Sequence, residues 1–552
     1  MLFFLYSNIS YSQARTWRSG EVLDRSLLSN PLNIDKTQLN NYLDEGIIHS
    51  LNYPVNTGVH FPYIPFRDMF TIKHKNPIKK VAQKAVKRIT KANSLLDIQK
   101  DLGLASYPDK LEDSDLPYYI PDHAKYNKDE QRMGFTIKKL NSVSAFTISC
   151  AQCHTSNLFG KSVIGLSNRF PKPNEFFVQT KKMFSSLPLT TLKLTAKYSK
   201  KEYKLLKDAK RKLQFVGAKT PIALGLDTSL AQVSLSLALR NTDEYASLPE
   251  KPKTQIYKDH PLHTLVADSK PMVWWNTKYK NKWLADGSII SGNPVLTNIL
   301  WNELGRGTDL KILESWIDDN KKTIDEITTA VFASEAPQMI DFVGEDYFKD
   351  LKRLKAGQKV YTKACARCHG LYTKAWEHNN ISQLSTRDLI KTKEVIYSEL
   401  TDAVDVGTDS VRHKSMKYLI PLNKLKISKK NKIKIRTKIG YVPPPLVGIW
   451  SRWPYFHNNS VPSLCELLTP ASSRAKSYMA RPANDISSDF DLECNGYPVA
   501  TEVNKKSPYY FNSTKTGLTN AGHDKGIIIN SKGKELLSRT DKSNLIYFLQ
   551  TL

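Results

Sequence analysis

Two short segments with the pattern Cys-x-x-Cys-His have the clearest chemical meaning in this sequence: residues 150–154 (Cys-Ala-Gln-Cys-His) and residues 365–369 (Cys-Ala-Arg-Cys-His). Two thiols at this spacing can form thioether bonds to the vinyl groups of a haem, and the adjacent histidine then lies against the iron as its proximal ligand. The pattern therefore predicts two covalently bound haem c groups. The predicted attachment and iron-ligand residues are Cys150, Cys153, His154, Cys365, Cys368 and His369.

A zinc knuckle and a thioredoxin-like redox pair are the alternative explanations of such cysteine spacings. Zinc sites usually draw four thiolate or imidazole ligands from two paired clusters. Here each cluster already holds three candidate ligands, and the two clusters lie far apart in the chain. The haem interpretation is therefore favoured.

The sixth ligand of each iron decides its chemistry, because Met or His there makes an electron-transfer haem, whereas a vacant position can bind oxygen or peroxide. In the cytochrome c topology this ligand comes from the loop before the closing helix. That loop, residues 520–526, contains His523 with a glycine on either side. We expect His523 to bind the second iron, with His457 as its rival and Met479 as a weaker one.

The first haem has no comparably placed candidate for a sixth ligand. His260 and His263 are the nearest histidines downstream of His154, and neither they nor any methionine stands out. This absence favours an open position at the His154 iron.

Helices are predicted on both sides of the second motif. Residues from Leu351 run into Cys365 with helical apolar spacing, and residues 542–552 have the pattern of a closing helix. Residues 310–332 also predict one helix. Residues 424–438, in contrast, alternate Ile or Leu with Lys and predict a basic β-hairpin.

A further helix is predicted after Asn76, which can cap it, with Pro77 in its first turn. Its opposite side is basic, so both a solvated outer face and a membrane-surface helix remain open. The predicted apolar side consists of Ile78, Val81, Ala82, Ala85, Val86 and Ile89.

The predicted fold class is mainly α, with two cytochrome c-type haem domains, irregular extensions and the small β-hairpin insertion. Residues 1–14 resemble the end of a signal peptide, and residues 15–135 form an N-terminal extension whose first part, rich in Pro, Tyr and Asn, is expected to be irregular. The first haem c domain is expected at 136–340 and the second cytochrome c domain at 345–552.

Charge and cysteine content indicate the compartment and the partners. The net charge of +28 comes from basic residues mixed with acids along the chain, so an acidic redox protein or an anionic membrane surface is a more fitting partner than nucleic acid. The abundance of Lys, Asn and Ile also indicates a composition bias, which would explain the charge without any functional cause. No run of 18 apolar residues predicts a transmembrane segment. Because haem is attached covalently outside the bacterial cytoplasm, a periplasmic or secreted protein is expected, in which Cys465 and Cys494 form a disulfide.

Residues 448–462 read Gly-Ile-Trp-Ser-Arg-Trp-Pro-Tyr-Phe-His-Asn-Asn-Ser-Val-Pro. This segment resembles the rubber oxygenase-like branch of the di-haem cytochrome c peroxidase superfamily, which has Gly-Ile-Trp followed by Pro-Tyr-x-His-Asn-Gly-Ser-Val-Pro. The chain departs from the pattern at Asn459, where Gly is usual; Asn also tolerates a left-handed conformation. The Gly-His-x-x-Gly loop at 522–526 and the Trp-Trp pair at 274–275 are similar too.

The resemblance implies an N-terminal haem open to a small oxidant, a six-coordinate C-terminal haem and a tryptophan bridge between them. The bridge would be Trp274 or Trp275, of which a strand would turn only one toward the haems, with Trp283 as the third candidate. His457 would lie near a haem edge. The implied function is a peroxidase- or oxygenase-type oxidoreductase acting on dioxygen or hydrogen peroxide, with a polyisoprenoid as a possible substrate; the alternative is a non-enzymatic electron carrier.

Overall fold

The computed structural model describes residues 28–52, 58–108, 115–249, 256–378, 383–397 and 401–552. Within these ranges there are 21 α-helices and only small sheets, which confirms a mainly α fold. None of the helices described combines the length and apolar character needed to cross a bilayer. The predicted signal-peptide residues 1–14 lie outside the described ranges.

The helices are short, and single 3₁₀ turns connect many of them. Those of the N-terminal half are α1 (Lys36–Asn52), α2 (Tyr63–Thr71), α3 (Pro77–Thr90), α4 (Leu95–Asp101), α5 (Ala151–His154), α6 (Pro173–Ser186), α7 (Leu189–Thr195), α8 (Lys200–Leu213) and α9 (Ser229–Ala238). Those that follow are α10 (Pro294–Gly305), α11 (Leu310–Asp319), α12 (Lys321–Ala333), α13 (Ile340–Val343), α14 (Leu351–Ala364), α15 (Ala366–His369), α16 (Thr386–Ile390), α17 (Val411–Ser415), α18 (Lys426–Lys430), α19 (Leu464–Leu467), α20 (Ile486–Asp489) and α21 (Arg539–Leu549).

The strands form one three-stranded antiparallel sheet, in the order β1-β3-β2, and four antiparallel pairs, β4-β5, β6-β9, β7-β8 and β10-β11. The sheet leads directly into the first Cys-x-x-Cys-His motif. The strands are β1 (Phe61–Pro62), β2 (Phe135–Leu140), β3 (Val143–Ile148), β4 (Thr155–Leu158), β5 (Lys161–Ile164), β6 (Ile289–Ser291), β7 (Leu371–Lys374), β8 (Thr392–Ile396), β9 (Lys434–Ile435), β10 (Ser477–Met479) and β11 (Tyr510–Asn512).

The prediction of an irregular stretch near the N-terminus is wrong for the residues that the structure describes, because α1 and α2 lie there. Helix α1 packs against α12, with Ile47 and Leu51 in the core. The two helices approach closely at Gly46, where a Cβ would lie 2.1 Å from the carbonyl oxygen of Glu326. Polar residues dominate α1, so its narrow buried side gave no clear apolar period.

Helix α3 begins where it was predicted, but its buried side is narrower. The Asn76 side chain accepts hydrogen bonds from the backbone N–H groups of Ile78 and Lys79, as expected of a cap. Only Ala82 and Val86 are buried, however. Ile78 and Val81 are 64% and 67% exposed, so the fold does not bury the whole of the predicted apolar side.

The predicted helix over residues 310–332 is two helices, α11 and α12. The chain breaks at Asn320, whose backbone and side-chain N–H groups both donate to the carbonyl of Trp316. The Asn320 side chain thus competes for a helical acceptor, which favours the end of the helix. The apolar spacing continues beyond this point, so the sequence pattern did not indicate the break.

The predicted β-hairpin at residues 424–438 is absent from this fully described segment. The 3₁₀ helix Met416–Lys424 is followed by α18, and only Lys434–Ile435 is extended, pairing with β6 rather than with its own neighbour. Ile427, Ile433 and Ile435 all enter the core. The alternation of Ile and Lys therefore reflects burial in a helical turn followed by a strand.

The helices around the second motif confirm the prediction. Helix α14 ends at Ala364, directly before Cys365, and the closing helix α21 packs across it. The crossing is close at Gly357, where a Cβ would lie 2.0 Å from the carbonyl oxygen of Asn544. The end of α14 is also fixed to the motif, since Tyr361 donates a hydrogen bond to the carbonyl of Gly370.

Three large apolar clusters form the core, and each draws on distant parts of the chain. One joins residues between 59 and 104 with the sheet and α6–α8; a second joins residues 47–133 with 230–435; the third joins 158–166 and 273–279 with residues 336–552. The N-terminal region thus contributes to the same clusters as the motifs. The domain boundaries at 135 and 340 stay predictions.

Replacing Gly357 should loosen the contact between α14 and α21. A Cβ at this position has a backbone atom in its way, so Gly357→Ala is expected to cost about 1–3 kcal/mol even though Ala favours helices. Thermal unfolding monitored by circular dichroism measures the effect. Lys359→Ala, at an exposed position of the same helix, should change stability by less than about 0.5 kcal/mol; equal effects would contradict the close packing.

Candidate functional site

One cavity of about 520 Å³ is shared by the two Cys-x-x-Cys-His motifs. Apolar side chains make up much of its wall, including Trp274, Trp283, Ile449 and Leu468. Eight of the predicted haem-attachment and ligand residues line it, and so do the bridge candidates Trp274 and Trp283. The eight are Cys150, Cys153, His154, Cys365, Cys368, His369, His457 and His523. Residues more than 200 positions apart in the chain therefore meet in one place.

The first motif forms the short helix α5 between β3 and β4. The His154 ring bonds through Nδ1 to the carbonyl of Met272 at 2.9 Å. Because a carbonyl can only accept, Nδ1 carries the proton and Nε2 keeps its lone pair for a metal ion. Burial lowers the pKa of His154 to about 4, so the ring is neutral at physiological pH.

The second motif repeats this arrangement. The Nδ1 of His369 bonds to the carbonyl of Pro444 at 2.8 Å, which again leaves Nε2 as the lone-pair atom. Burial lowers the pKa of His369 as well. None of the four motif cysteines is in a disulfide, and burial raises the pKa of the Cys150 thiol to about 11 and that of the Cys365 thiol to about 12.

His523 faces His369 across the cavity. Their ring centroids are 6.2 Å apart, close to the roughly 6 Å that separates two imidazoles on opposite sides of one metal ion with metal–nitrogen bonds of about 2 Å. The loop reaches this position through left-handed backbone at Gly522 and at His523 itself (φ 78° and 56°). Burial lowers the pKa of His523 to about 3.

His457 lines the same cavity, but its ring is bound to another side chain of the protein. Its ring stacks on Tyr441 with centroids 4.1 Å apart, and its Nε2 is 3.0 Å from the Tyr441 hydroxyl. That hydroxyl donates its single proton to the carbonyl of Asp409. The Nε2 of His457 must therefore be the donor to Tyr441, which makes it less suited than His523 to bind a metal.

The other candidate ligands do not reach the cavity. His260 accepts at Nδ1 from the N–H of Leu262, and His263 bonds to the carbonyl of Tyr257. Met479 lies in β10. None of these three is among the residues that line the cavity.

The Trp-Trp pair lies in a 3₁₀ helix, Trp274–Tyr279, so its assignment to a strand was wrong. The two indoles nevertheless point to different places. Trp274 contacts the His154 ring, with centroids 5.7 Å apart, and lines the cavity. Trp275 donates from Nε1 to the carbonyl of Val447 at 2.9 Å and packs in the cluster around the second motif.

The charged side chains of the cavity wall suit the propionates of haem. Of the described lining residues, six are cationic, whereas one, Asp227, is acidic. Burial lowers the pKa of Lys280 to about 8 and that of Arg452 to about 10, and two propionates per haem would compensate these charges. The cationic residues are Lys270, Lys280, Arg306, Arg367, Arg412 and Arg452. Together with the free thiols and the oriented imidazoles, they fit covalently bound haem.

The segment 448–462 forms part of this site. Asn459 has a φ of 60°, the left-handed conformation expected at the position where glycine is usual, and its side chain donates to the carbonyl of Gly225 at 2.9 Å. The predicted disulfide between Cys465 and Cys494 is confirmed, with Cα atoms 4.9 Å apart. It follows the segment directly.

Sequence analysis missed three residues of the site: Tyr441, Lys270 and Arg452. Lys270 donates from Nζ to the carbonyls of Arg452 and Pro454 at 2.8 and 2.6 Å, and its backbone N–H donates to the carbonyl of His457. Arg452 lies within the segment 448–462, but the sequence pattern indicated no role for it. The contacts of Tyr441 and Lys270 depend on tertiary structure, so no local pattern indicated them.

Comparison with known proteins supports a c-type cytochrome. Residues 440–479 match the model of a family described as RoxA-like, cytochrome c-like. This match supports the rubber oxygenase-like cytochromes c, a family that implies covalently bound haem c, but it does not extend to the di-haem peroxidase superfamily.

Two curated proteins of Sinorhizobium fredii (strain NBRC 101917 / NGR234) are similar over short stretches. Uncharacterized protein y4iJ is 32% identical over 124 residues, which cover 21% of this chain and 19% of that protein. Uncharacterized protein y4iM is 34% identical over 103 residues, covering 18% of this chain and 22% of that protein. The chain thus spans about a fifth of the length of these relatives.

The cysteines of each motif should attach one haem each. We expect the intact mass of the exported protein to exceed the polypeptide mass by two haem groups. Cys150→Ala with Cys153→Ala, or Cys365→Ala with Cys368→Ala, should remove one, because each haem depends on its own thioethers. Mass spectrometry and the pyridine spectrum give the count; both haems retained in either double variant would contradict the assignment.

His523 should be the sixth ligand of the second haem. His523→Ala is expected to convert one of two haems from low to high spin and to raise its reduction potential, because a nitrogen donor that favours ferric iron is lost. His457→Ala is the matched comparison, since this ring also lines the cavity but is bound to Tyr441. Optical and electron paramagnetic resonance spectra decide between them: a spin change in the His457 variant alone would make His457 the ligand.

Proposed function

We propose that this chain is an extracytoplasmic di-haem c-type cytochrome and an oxidoreductase, with dioxygen or peroxide as the oxidant at the His154 site and the His369 site as electron relay. The observation that carries this proposal is the unequal surroundings of the two motif histidines. His369 faces a second imidazole, His523, at 6.2 Å. The ring neighbour of His154 is instead the indole of Trp274.

The two sites would therefore have different tasks. A haem held between two histidines exchanges electrons without binding substrate, whereas one with a free position can activate a small oxidant. At the second site the chain contributes two buried imidazoles, of which the His369 ring is oriented by the carbonyl of Pro444. At the first it contributes one imidazole, oriented by Met272, and a largely apolar wall that limits the access of water.

Trp274 and Trp275 are proposed as the path between the sites. Trp274 touches the ring of His154. Trp275 bonds to Val447, three residues after Pro444, whose carbonyl orients His369. Two adjacent indoles thus connect the surroundings of both imidazoles, which favours their use in series over the use of one alone. Trp283, which also lines the cavity, is the remaining candidate.

The reaction is proposed to be of peroxidase or oxygenase type, with hydrogen peroxide or a polyisoprenoid as the substrate class. The resemblance of residues 440–479 to RoxA-like cytochromes c favours the oxygenase type. A periplasmic or secreted location belongs to the same proposal. The disulfide between Cys465 and Cys494 is in keeping with an oxidising compartment.

Binding of carbon monoxide to the reduced protein tests the proposal. We expect one of two haems to bind it, because among the described residues a second imidazole is the ring neighbour of His369, whereas the ring neighbour of His154 is an indole. Cyanide should behave likewise in the oxidised protein. Optical titration gives the stoichiometry. If neither ligand binds, the protein is an electron carrier with two six-coordinate haems; if binding is lost in Cys365→Ala/Cys368→Ala instead of Cys150→Ala/Cys153→Ala, the roles of the sites are reversed.

A further inference from the structure

The first half of α3 projects from the protein. Every residue from Lys75 to Val81 is exposed, and the buried contacts of the helix begin only at Ala82. We propose that this surface, residues 73–91 together with Leu194, docks the protein on an anionic phospholipid membrane. The proposal does not depend on the reaction at the haem sites.

The docking surface contains aliphatic side chains that the fold does not bury. Ile78 and Val81 are 64% and 67% exposed, and a spacing of three residues places them on the same side of the helix. The neighbouring helix α7, which packs against α3, adds Leu194 at 37% exposure. The bond from His74 Nε2 to the carbonyl of Thr195, at 2.9 Å, joins the segment before α3 to the last residue of α7. Exposed aliphatic side chains that lie one helical turn apart, as Ile78 and Val81 do, are the kind of surface that an interaction site presents.

The charges around these side chains are all of one sign. Residues 73–91 contain no Asp or Glu. Since each lysine or arginine near an anionic lipid surface strengthens partitioning about fivefold, several of them acting together produce firm binding at low salt. The basic residues of this stretch are Lys73, Lys75, Lys79, Lys80, Lys84, Lys87, Arg88 and Lys91.

The combination of charges and aliphatic groups favours a membrane over an acidic protein. An acidic protein surface would match the lysines but would leave Ile78 and Val81 in water. A lipid interface accepts projecting aliphatic side chains among the acyl chains while the lysines reach the phosphates. Helix α8 differs in this respect, since its lysines alternate with Glu202 and Asp208 and it has no exposed large aliphatic side chain.

Vesicle sedimentation of the full-length holoprotein tests the proposal. Vesicles of phosphatidylglycerol should bind the protein at low salt and vesicles of phosphatidylcholine should not. Lys79→Glu/Lys80→Glu is expected to weaken binding at least about 30-fold, and Ile78→Ser/Val81→Ser at least about tenfold. The haem absorption and circular dichroism of both variants should equal those of the wild type, because the replaced side chains are exposed.

The matched control is Lys352→Glu/Lys359→Glu on α14, which makes the same change of charge at two exposed lysines of a helix with no exposed large aliphatic side chain. Its binding should fall less than about threefold. The proposal is overturned if the wild type does not bind vesicles of phosphatidylglycerol. It is also overturned if the control variant loses as much binding as Lys79→Glu/Lys80→Glu, because the loss would then reflect net charge alone. Unchanged binding of Ile78→Ser/Val81→Ser would also overturn it, and would favour a purely electrostatic contact such as an acidic protein.

Discussion

The orientation of two buried imidazoles is the constraint on which the site depends. A histidine ring removed from water needs a partner for its N–H, and the carbonyls of Met272 and Pro444 supply it at 2.9 and 2.8 Å. Both carbonyls lie just before other parts of the site. Met272 precedes the 3₁₀ helix that carries the tryptophan pair, and Pro444 precedes the segment 448–462 that contains His457. Fixing each ring therefore also fixes the surrounding wall.

Sequence patterns predicted those parts of the site that are local. The two Cys-x-x-Cys-His motifs, the helix that enters the second one and the closing helix all appear where they were expected, because covalent spacing and helical periodicity are properties of short segments. The loop with glycines on either side of His523 predicted this residue as a ligand, and its ring does face that of His369. The choice between His523 and His457 rests on the hydrogen bonds of Tyr441, which no sequence pattern contained.

The wrong predictions of secondary structure and burial have a common physical origin in tertiary packing. Helix α1 has few apolar residues, yet α12 and a close approach at Gly46 hold it in place. The Ile and Lys alternation near residue 430 suits a strand locally, but the core takes up its isoleucines through α18 and β9. In α3 the predicted apolar spacing is present, but Ile78 and Val81 stay exposed because no element in the described part of the chain covers them.

The tryptophan pair also restricts how the protein can move. Trp274 belongs to the apolar cluster around the first motif and Trp275 to the cluster around the second, although they are neighbours in one 3₁₀ turn. Any hinge motion between the two clusters would have to pull one indole out of close-packed surroundings. This packing opposes a change in the spacing of the two motifs. Under the proposed function, a transfer of electrons between them should therefore proceed at a rate that does not change with the viscosity of the solvent.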